Sequence, residues 1–460
     1  MIHPRVHQTR TLWLTSLLHV FTHAYNVALV PLYLQIQTDF HLSNVGFATF
    51  LVTLMMLAYC APGYFMGVLA DRFSRRRLLA LGLLANAAGF VGLALAPSYP
   101  WALVCVTLAG LGGSIFHPAA NALIGETFPT NVGRAMGFLG IGASVGFFIS
   151  PLYVGWRAAH TGQWRTPILE LGLLGLVGSG LFAWLAEEPP ALVPPLANSD
   201  SPSPTPHTAQ AAGTPRARPS GLPLLSGEGR GEGNTTNLAS RPALFTTAAH
   251  PAGLEPKPPR VPIFPTRGLW FFFIAASLAF GLRDFAGASM STLGSLFLQK
   301  AHGFSLQATG VALSGIFIAS ALSNPLFGHL SDRGRGRWGA LVLLIAASLV
   351  AFFPHASVPW LIPTFLVYGF FQMASYPIVE AALMEAVPNA VRGRVMGFWI
   401  TVGGVVGNLA HWIMGQKVQD FAAQARHPQT YFGLYGVLGL LMLLSLLGFP
   451  CLHAIRKRDP

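Results

Sequence analysis

Long apolar stretches separated by short polar turns fill most of the chain. A bilayer's hydrocarbon core is about 30 Å thick, which a helix crosses in roughly 20 residues. On that length scale the pattern predicts twelve transmembrane helices, near residues 11–36, 46–70, 78–96, 101–126, 134–156, 166–186, 268–298, 305–330, 338–354, 359–386, 394–415 and 431–453. Several contain Gly or Pro, which a membrane helix tolerates when its neighbours satisfy the freed backbone groups. The first begins at Thr11, is too long for a signal-peptide core and lacks a small-residue cleavage site, so it is expected to remain as a span. The expected fold class is an all-α integral membrane protein.

The alternation fails between residues 187 and 266. Seventeen of the 35 prolines fall there, in runs such as SPSPTPHTAQ and SGEGRGEGNTTN. Such a stretch cannot bury enough apolar surface to offset the entropy of ordering it. It is read as a disordered, Pro-rich cytoplasmic linker between two six-helix bundles, 1–186 and 267–460. Whether it regulates or merely tethers is left open by its composition.

Composition agrees: 52% hydrophobic and 10% charged residues exclude an ordinary soluble fold. The formal charge of +12 would suit a nucleic-acid partner, but its placement argues otherwise. With both termini cytoplasmic, 22 of the 28 Lys and Arg fall inside, and five fall outside: Arg157, Arg165, Lys300, Lys417 and Arg426. Setting aside the seven around the linker still leaves 15 against five. This is the positive-inside bias that orients membrane helices, and no nucleic-acid partner is expected. Arg283 is the exception, placed within a span. Cys60, Cys105 and Cys451 are scattered in or beside apolar spans and form neither a metal-type cluster nor a disulfide framework. No cofactor or metal is expected.

The chain repeats itself. GVLADRFSRRRLLALG (67–82) returns as GHLSDRGRGRWGALVL (328–343), and FHPAANALIGETFPTNVGRAMGF (116–138) lies over SYPIVEAALMEAVPNAVRGRVMGF (375–398). Both Asp-Arg turns fall on the predicted cytoplasmic side. Gly67 and Gly328 are expected to let helices cross closely. Asp71 and Asp332 end a helix, where each can accept hydrogen bonds from a helix N-terminus or pair with an arginine. Arg72, Arg75 and Arg333 have Glu126 and Glu385 as candidate acidic partners, while Arg134 and Arg394 open the following helices. These pairs are expected to form a gate that is made when the cytoplasmic side shuts and broken when it opens.

The two copies resemble the loop signature G-x-L-x-D-R-x-x-R-[RK] of the major facilitator superfamily. Gly67, Leu69, Asp71, Arg72, Arg75 and Arg76 match it, and the copy at Gly328, Leu330, Asp332 and Arg333 is looser. The resemblance covers essentially the whole chain outside the linker. It implies twelve helices in two pseudo-symmetric six-helix bundles, working by alternating access. GFLGIGASVGFFISPLYVG (137–155) is similar to the family's antiporter motif G-x8-G-x3-G-P-x2-G through Gly137, Gly146 and Pro151; Ser150 replaces a Gly, and Gly155 lies one residue late. A narrower likeness is to fosmidomycin-resistance type exporters, through His19 and Phe21 and through Ser114, Phe116, His117 and Pro118. His23 and Ala119 stand where that group has acidic residues.

Ionisable groups inside a bilayer are costly and usually face a cavity. The family resemblance implies a cavity lined by helices 1, 4, 7 and 10. On these lie His19, His23 and Asn26, with Tyr25 beside them, then His117 and Asn121, Arg283 and Asp284, and Gln372, Tyr376 and Glu380. Asp284 and Glu380 are candidates for reversible protonation, because low dielectric favours the neutral carboxyl. Asn408 and His411 read as helix–helix glue. The expected function is proton-coupled efflux of a small drug-like molecule or metabolite by a monomer in the inner (plasma) membrane. The rivals are an importer or uniporter of a small metabolite, a transport-inactive sensor, and a membrane metalloenzyme built on the His19-x-x-x-His23 spacing.

Overall fold

The computed structural model describes residues 4–187, 262–388 and 391–458. The predicted linker lies outside the described residues apart from its two ends. The described residues are helical throughout their regular structure, and they form twelve rods.

Span 1 is Pro4–Ala28 continued through Val30–Leu32 and Tyr33–Asp39. Span 2 is Val45–Cys60 plus Gly63–Arg72, span 3 Arg75–Ala94, span 4 Tyr99–Ser114 plus Phe116–Thr127, span 5 Val132–Thr161 and span 6 Arg165–Leu185. Span 7 is Arg267–His302, span 8 Leu306–Ile318 plus Ser320–Ser331 and span 9 Arg335–Phe352. Span 10 is Val358–Ala386, span 11 Arg392–Asp420 and span 12 runs from Phe432–Leu444 into Gly448–Arg458.

Local chemistry sets these boundaries. The side chains of Asn44, Ser74, Thr266 and Ser305 accept from backbone N–H groups two or three residues on, so spans 2, 3, 7 and 8 begin with satisfied caps. Proline explains three breaks, because its ring clashes with the carbonyl four residues back. Pro118 stands four residues beyond Ser114, where the first half of span 4 stops; Pro62 bends span 2 by 43°. Pro31 turns span 1 into a short 3-10 segment.

Among the described residues ten helices are long and apolar enough to cross a bilayer, and the bent pair of span 2 makes an eleventh. Span 11 falls short of that apolarity because its polar side chains turn toward spans 2 and 7, between which it packs. Asn44 Nδ2 donates to Gln416 Oε1 at 2.5 Å, and Val45 N–H to Gln419 Oε1 at 3.2 Å. Thr53 Oγ1 donates to the Asn408 carbonyl at 3.1 Å and accepts from Trp412 N–H at 2.9 Å.

Spans 5 and 8 form the matching pair. Gly155 and Gly310 let their backbones touch: a Cβ on Gly310 would lie 3.2 Å from the Gly155 Cα and would clash with the Pro151 carbonyl. Farther along, Phe147 stacks on Phe317 at 4.9 Å and Ser320 Oγ reaches Ser144 Oγ at 3.4 Å. Spans 1 and 7 are joined by Ser295 Oγ donating to the Val30 carbonyl at 2.8 Å and by Gln299 donating to Pro31.

These contacts between the first six and last six spans run from one end of the molecule past its middle, as far as Tyr64, whose ring centre lies 6.4 Å from that of Phe398. Toward the Asp71 and Asp332 turns the packing loosens. A Cβ on Gly63 would still lie 3.9 Å from Thr401, but one turn on, Gly67 has nothing within 4 Å, and neither has Gly397 opposite it. Gly137 and Gly328 are equally open. The sequence expectation of close helix crossing at Gly67 and Gly328 is therefore corrected for this conformation: a side chain at either position would meet open space.

Gly310→Leu is expected to force spans 5 and 8 apart at their tightest point. The change should cost about 1–3 kcal/mol, read as a lowered unfolding midpoint in detergent, whereas Gly328→Leu should leave the midpoint nearly unchanged.

Candidate functional site

Between the two sets of six spans lies a cavity of about 610 Å³. His19, His23, Asn26, His117, Asp284, Gln372, Tyr376 and Glu380 are on its wall. Three predicted residues are not. Tyr25 is fully buried, donates its hydroxyl to the Leu171 carbonyl at 3.0 Å and packs on Phe90, so it belongs to the core of the first bundle. Asn121 is exposed and stands off the wall. Arg283 is buried behind the wall.

Arg283 acts on the cavity through its neighbours. Its Nε and Nη2 donate to Asp284 Oδ1 at 3.0 and 2.8 Å, its Nη1 lies 3.4 Å from the Ser375 carbonyl, and its guanidinium carbon sits 4.1 Å from the Tyr376 ring centre. The carboxylate is thereby held from one side, with 22% of its side-chain surface left open. Glu380 is exposed to the cavity and pairs with no cation within 4 Å among the described residues.

The wall is broader than helices 1, 4, 7 and 10. Spans 5 and 8 contribute Ser144, Phe147, Ser320 and Asn324, and span 11 contributes Asn408 and His411. His411 Nδ1 is 2.5 Å from Thr292 Oγ1, so its role as interhelical glue holds together with a place on the wall. The signal that could have found Ser144 and Phe147 is their spacing from Gly140, which puts all three on one helical face. Several wall groups have no hydrogen-bond partner among the described residues: His23 Nδ1, Tyr368 Oη, Asn324 Oδ1 and both amide atoms of Gln372. Buried polar atoms are normally satisfied, so these are the groups a polar ligand would engage.

In the antiporter-like stretch, Gly146 lets span 5 lie against span 1, where a Cβ would be 3.1 Å from Ala24 N. Pro151 presents its carbonyl to Gly310, whereas Gly137 has no neighbour.

At the turns, Arg75 pairs with Glu126, and Arg335 pairs with Glu385 at 2.6 Å and with Asp332 at 3.1 Å. Both predicted glutamates are thus engaged, and in this conformation the pairs join span 3 to span 4 and span 9 to span 10, each within one bundle. Asp71, Arg72, Arg134 and Arg333 are exposed.

The model of the Major Facilitator Superfamily matches residues 12–411, and again 269–458. The chain belongs to this superfamily. Its members are membrane transporters. Multidrug resistance protein MdtH of Shigella dysenteriae serotype 1 is 37% identical over 124 residues, 27% of this chain and 30% of that protein. MdtH of Cronobacter sakazakii is 31% identical over 148 residues, 31% of this chain and 36% of that protein. The chain thus aligns with about a third of these relatives' length. A D-xylose–proton symporter structure superposes with a TM-score of 0.69 at 16% identity, covering 96% of this chain and 97% of that one. A bacterial homologue of the human lysosomal transporter Spinster gives 0.65 at 15% identity, covering 98% and 96%. Both show the fold.

Removing Arg283 leaves Asp284 with an uncompensated charge in a low-dielectric wall. Arg283→Met is expected to destabilise by about 3–5 kcal/mol, and adding Asp284→Leu should restore most of the loss. Unfolding in detergent of both variants checks this.

Proposed function

We propose that the chain is a proton-coupled exporter of a small molecule in the inner membrane, with the Asp-Arg turns and both termini on the cytoplasmic side. The carrying observation is a polar cavity between the bundles, with hydrogen bonds and glycine contacts joining them on the side away from the Asp-Arg turns and open space around Gly67 and Gly397 toward the turns. That arrangement supports alternating access with the cavity open to the cytoplasm. In the opposite state the bundles would rock so that spans 2 and 11, and 5 and 8, close at the turn end. Their antiparallel register already sets Gly67 against Gly397, and both positions are free of side-chain bulk.

Efflux is favoured over uptake by the likeness to proteins described as multidrug resistance proteins, in the aligned third of their length. Glu380 is the preferred proton carrier. Its carboxylate faces the cavity with no cation bound to it, whereas Asp284 is already held by Arg283. A carboxylate that protonates on one side and releases on the other shifts the two-state balance by its differential affinity.

The test is a panel of fluorescent drugs and metabolites screened in proteoliposomes with an imposed pH gradient. Glu380→Gln is expected to cut gradient-driven accumulation at least tenfold while substrate exchange continues. Unchanged accumulation would refute the coupling role. In a background without native cysteines, Gly67→Cys paired with Gly397→Cys should crosslink during turnover and halt flux. Crosslinking without effect on flux would refute closure at this pair. Charge reversal at Asp71 is expected to cripple flux with membrane insertion unchanged.

A further inference from the structure

Three imidazoles converge on the first-bundle wall of the cavity. His19 and His23 stand one helical turn apart on span 1, and His117 approaches from the second segment of span 4, which restarts after the break imposed by Pro118. One ring nitrogen from each lies within 4.8 Å of the others. His23 Nε2 is 2.9 Å from His19 Nε2, and the His117 ring centre is 5.3 and 5.5 Å from those of His19 and His23.

We propose that His19, His23 and His117 form a binding site for a divalent transition-metal ion of the zinc class, with its open coordination position facing the cavity. Zinc takes imidazole nitrogens at about 2.0–2.1 Å in a tetrahedron, which sets neighbouring nitrogens about 3.3 Å apart. The closest pair is already near that spacing, so loading needs mainly rotation of His117.

The surroundings fit a ligand set. His19 Nδ1 lies 2.8 Å from the Leu139 carbonyl, which can only accept. The neutral ring therefore carries its proton on Nδ1 and aims the lone pair of Nε2 into the cluster, the tautomer a metal requires. Phe116 stacks on His19 at 4.6 Å, and Phe147 lies tilted against His23 at 4.3 Å, so both rings are packed in place. In the unloaded site His23 must donate from Nε2 to His19, leaving its buried Nδ1 as one of the unpartnered atoms. Metal binding moves that proton to Nδ1 and frees Nε2 with no proton released, and the bound ion adds two positive charges to the wall.

Donor type sets the specificity. Imidazole suits zinc, copper, nickel and cobalt, whereas magnesium and calcium want oxygen. Three ligands and an open position leave room for a donor group of a transported molecule, so a metal-chelating small molecule is the class of compound this wall would favour. That last step rests on the transport reading; the metal site does not.

The test uses the full chain purified in detergent with any affinity tag removed, titrated with Co²⁺. The expected result is one equivalent bound with visible ligand-field bands of tetrahedral cobalt, displaced by Zn²⁺ and untouched by excess Mg²⁺ or Ca²⁺. His117→Gln and His23→Gln should each weaken binding at least tenfold. Because a variant can misfold, the unsubstituted chain supplies a second readout: Zn²⁺ should raise its unfolding midpoint and Mg²⁺ should not. Absence of the bands, or binding that survives all three His→Gln changes together, overturns the site. Drug flux persisting without metal binding would sink this inference alone, and metal binding without flux would sink the transport reading alone.

Discussion

The structure depends on backbone contact between four helices, span 2 against 11 and span 5 against 8, over only part of their length. Inside a bilayer the lipid tails are as apolar as leucine, so helices gain little from hiding apolar surface against one another. What holds them is close packing and hydrogen bonding. Gly155 against Gly310 supplies the first, and Asn44, Thr53, Gln416 and Gln419 supply the second. Because these residues lie away from the Asp-Arg turns, the two bundles are fastened more closely there than toward the turns. The cavity lies between them.

Polar chemistry then collects where the fastening leaves room. Unpaired polar atoms against lipid tails cost several kcal/mol each, so the imidazoles, amides and carboxylates of these spans turn inward. The first bundle brings three imidazoles, His19, His23 and His117; the second brings Asp284, braced from behind by Arg283, together with Glu380 and the imidazole of His411.

Much of this was legible in the sequence, and the rest was hidden for identifiable reasons. The apolar lengths located the spans, and the repeated Asp-Arg turns revealed the duplication, because both are local properties. The helical face each residue occupies is also local, which is why His19, His23 and Asn26 were grouped correctly on one side of span 1. How that face is aimed is not local. Tyr25 lies beside Asn26 in sequence yet points into the bundle at Leu171, and Asn121 shares a helical face with His117 but stands off the cavity wall. The meeting of His117 with His19 and His23 needed the break before Phe116, whose rotation no periodicity reports. The turn glutamates were found as partners of the arginines, but only the spatial arrangement distinguishes a brace within a bundle from a lock between bundles.

The bend at Pro62 has a mechanical consequence. Beyond it, Gly63–Arg72 is a stiff arm of 10 residues, about 15 Å long at 1.5 Å per residue. A change of about 20° at its elbow sweeps the tip through roughly 5 Å, close to one helical pitch. The segment from Val45 to Cys60 can stay clamped to span 11 while this happens. Large displacement at one membrane face would then require almost none at the other, with the proline as the fulcrum.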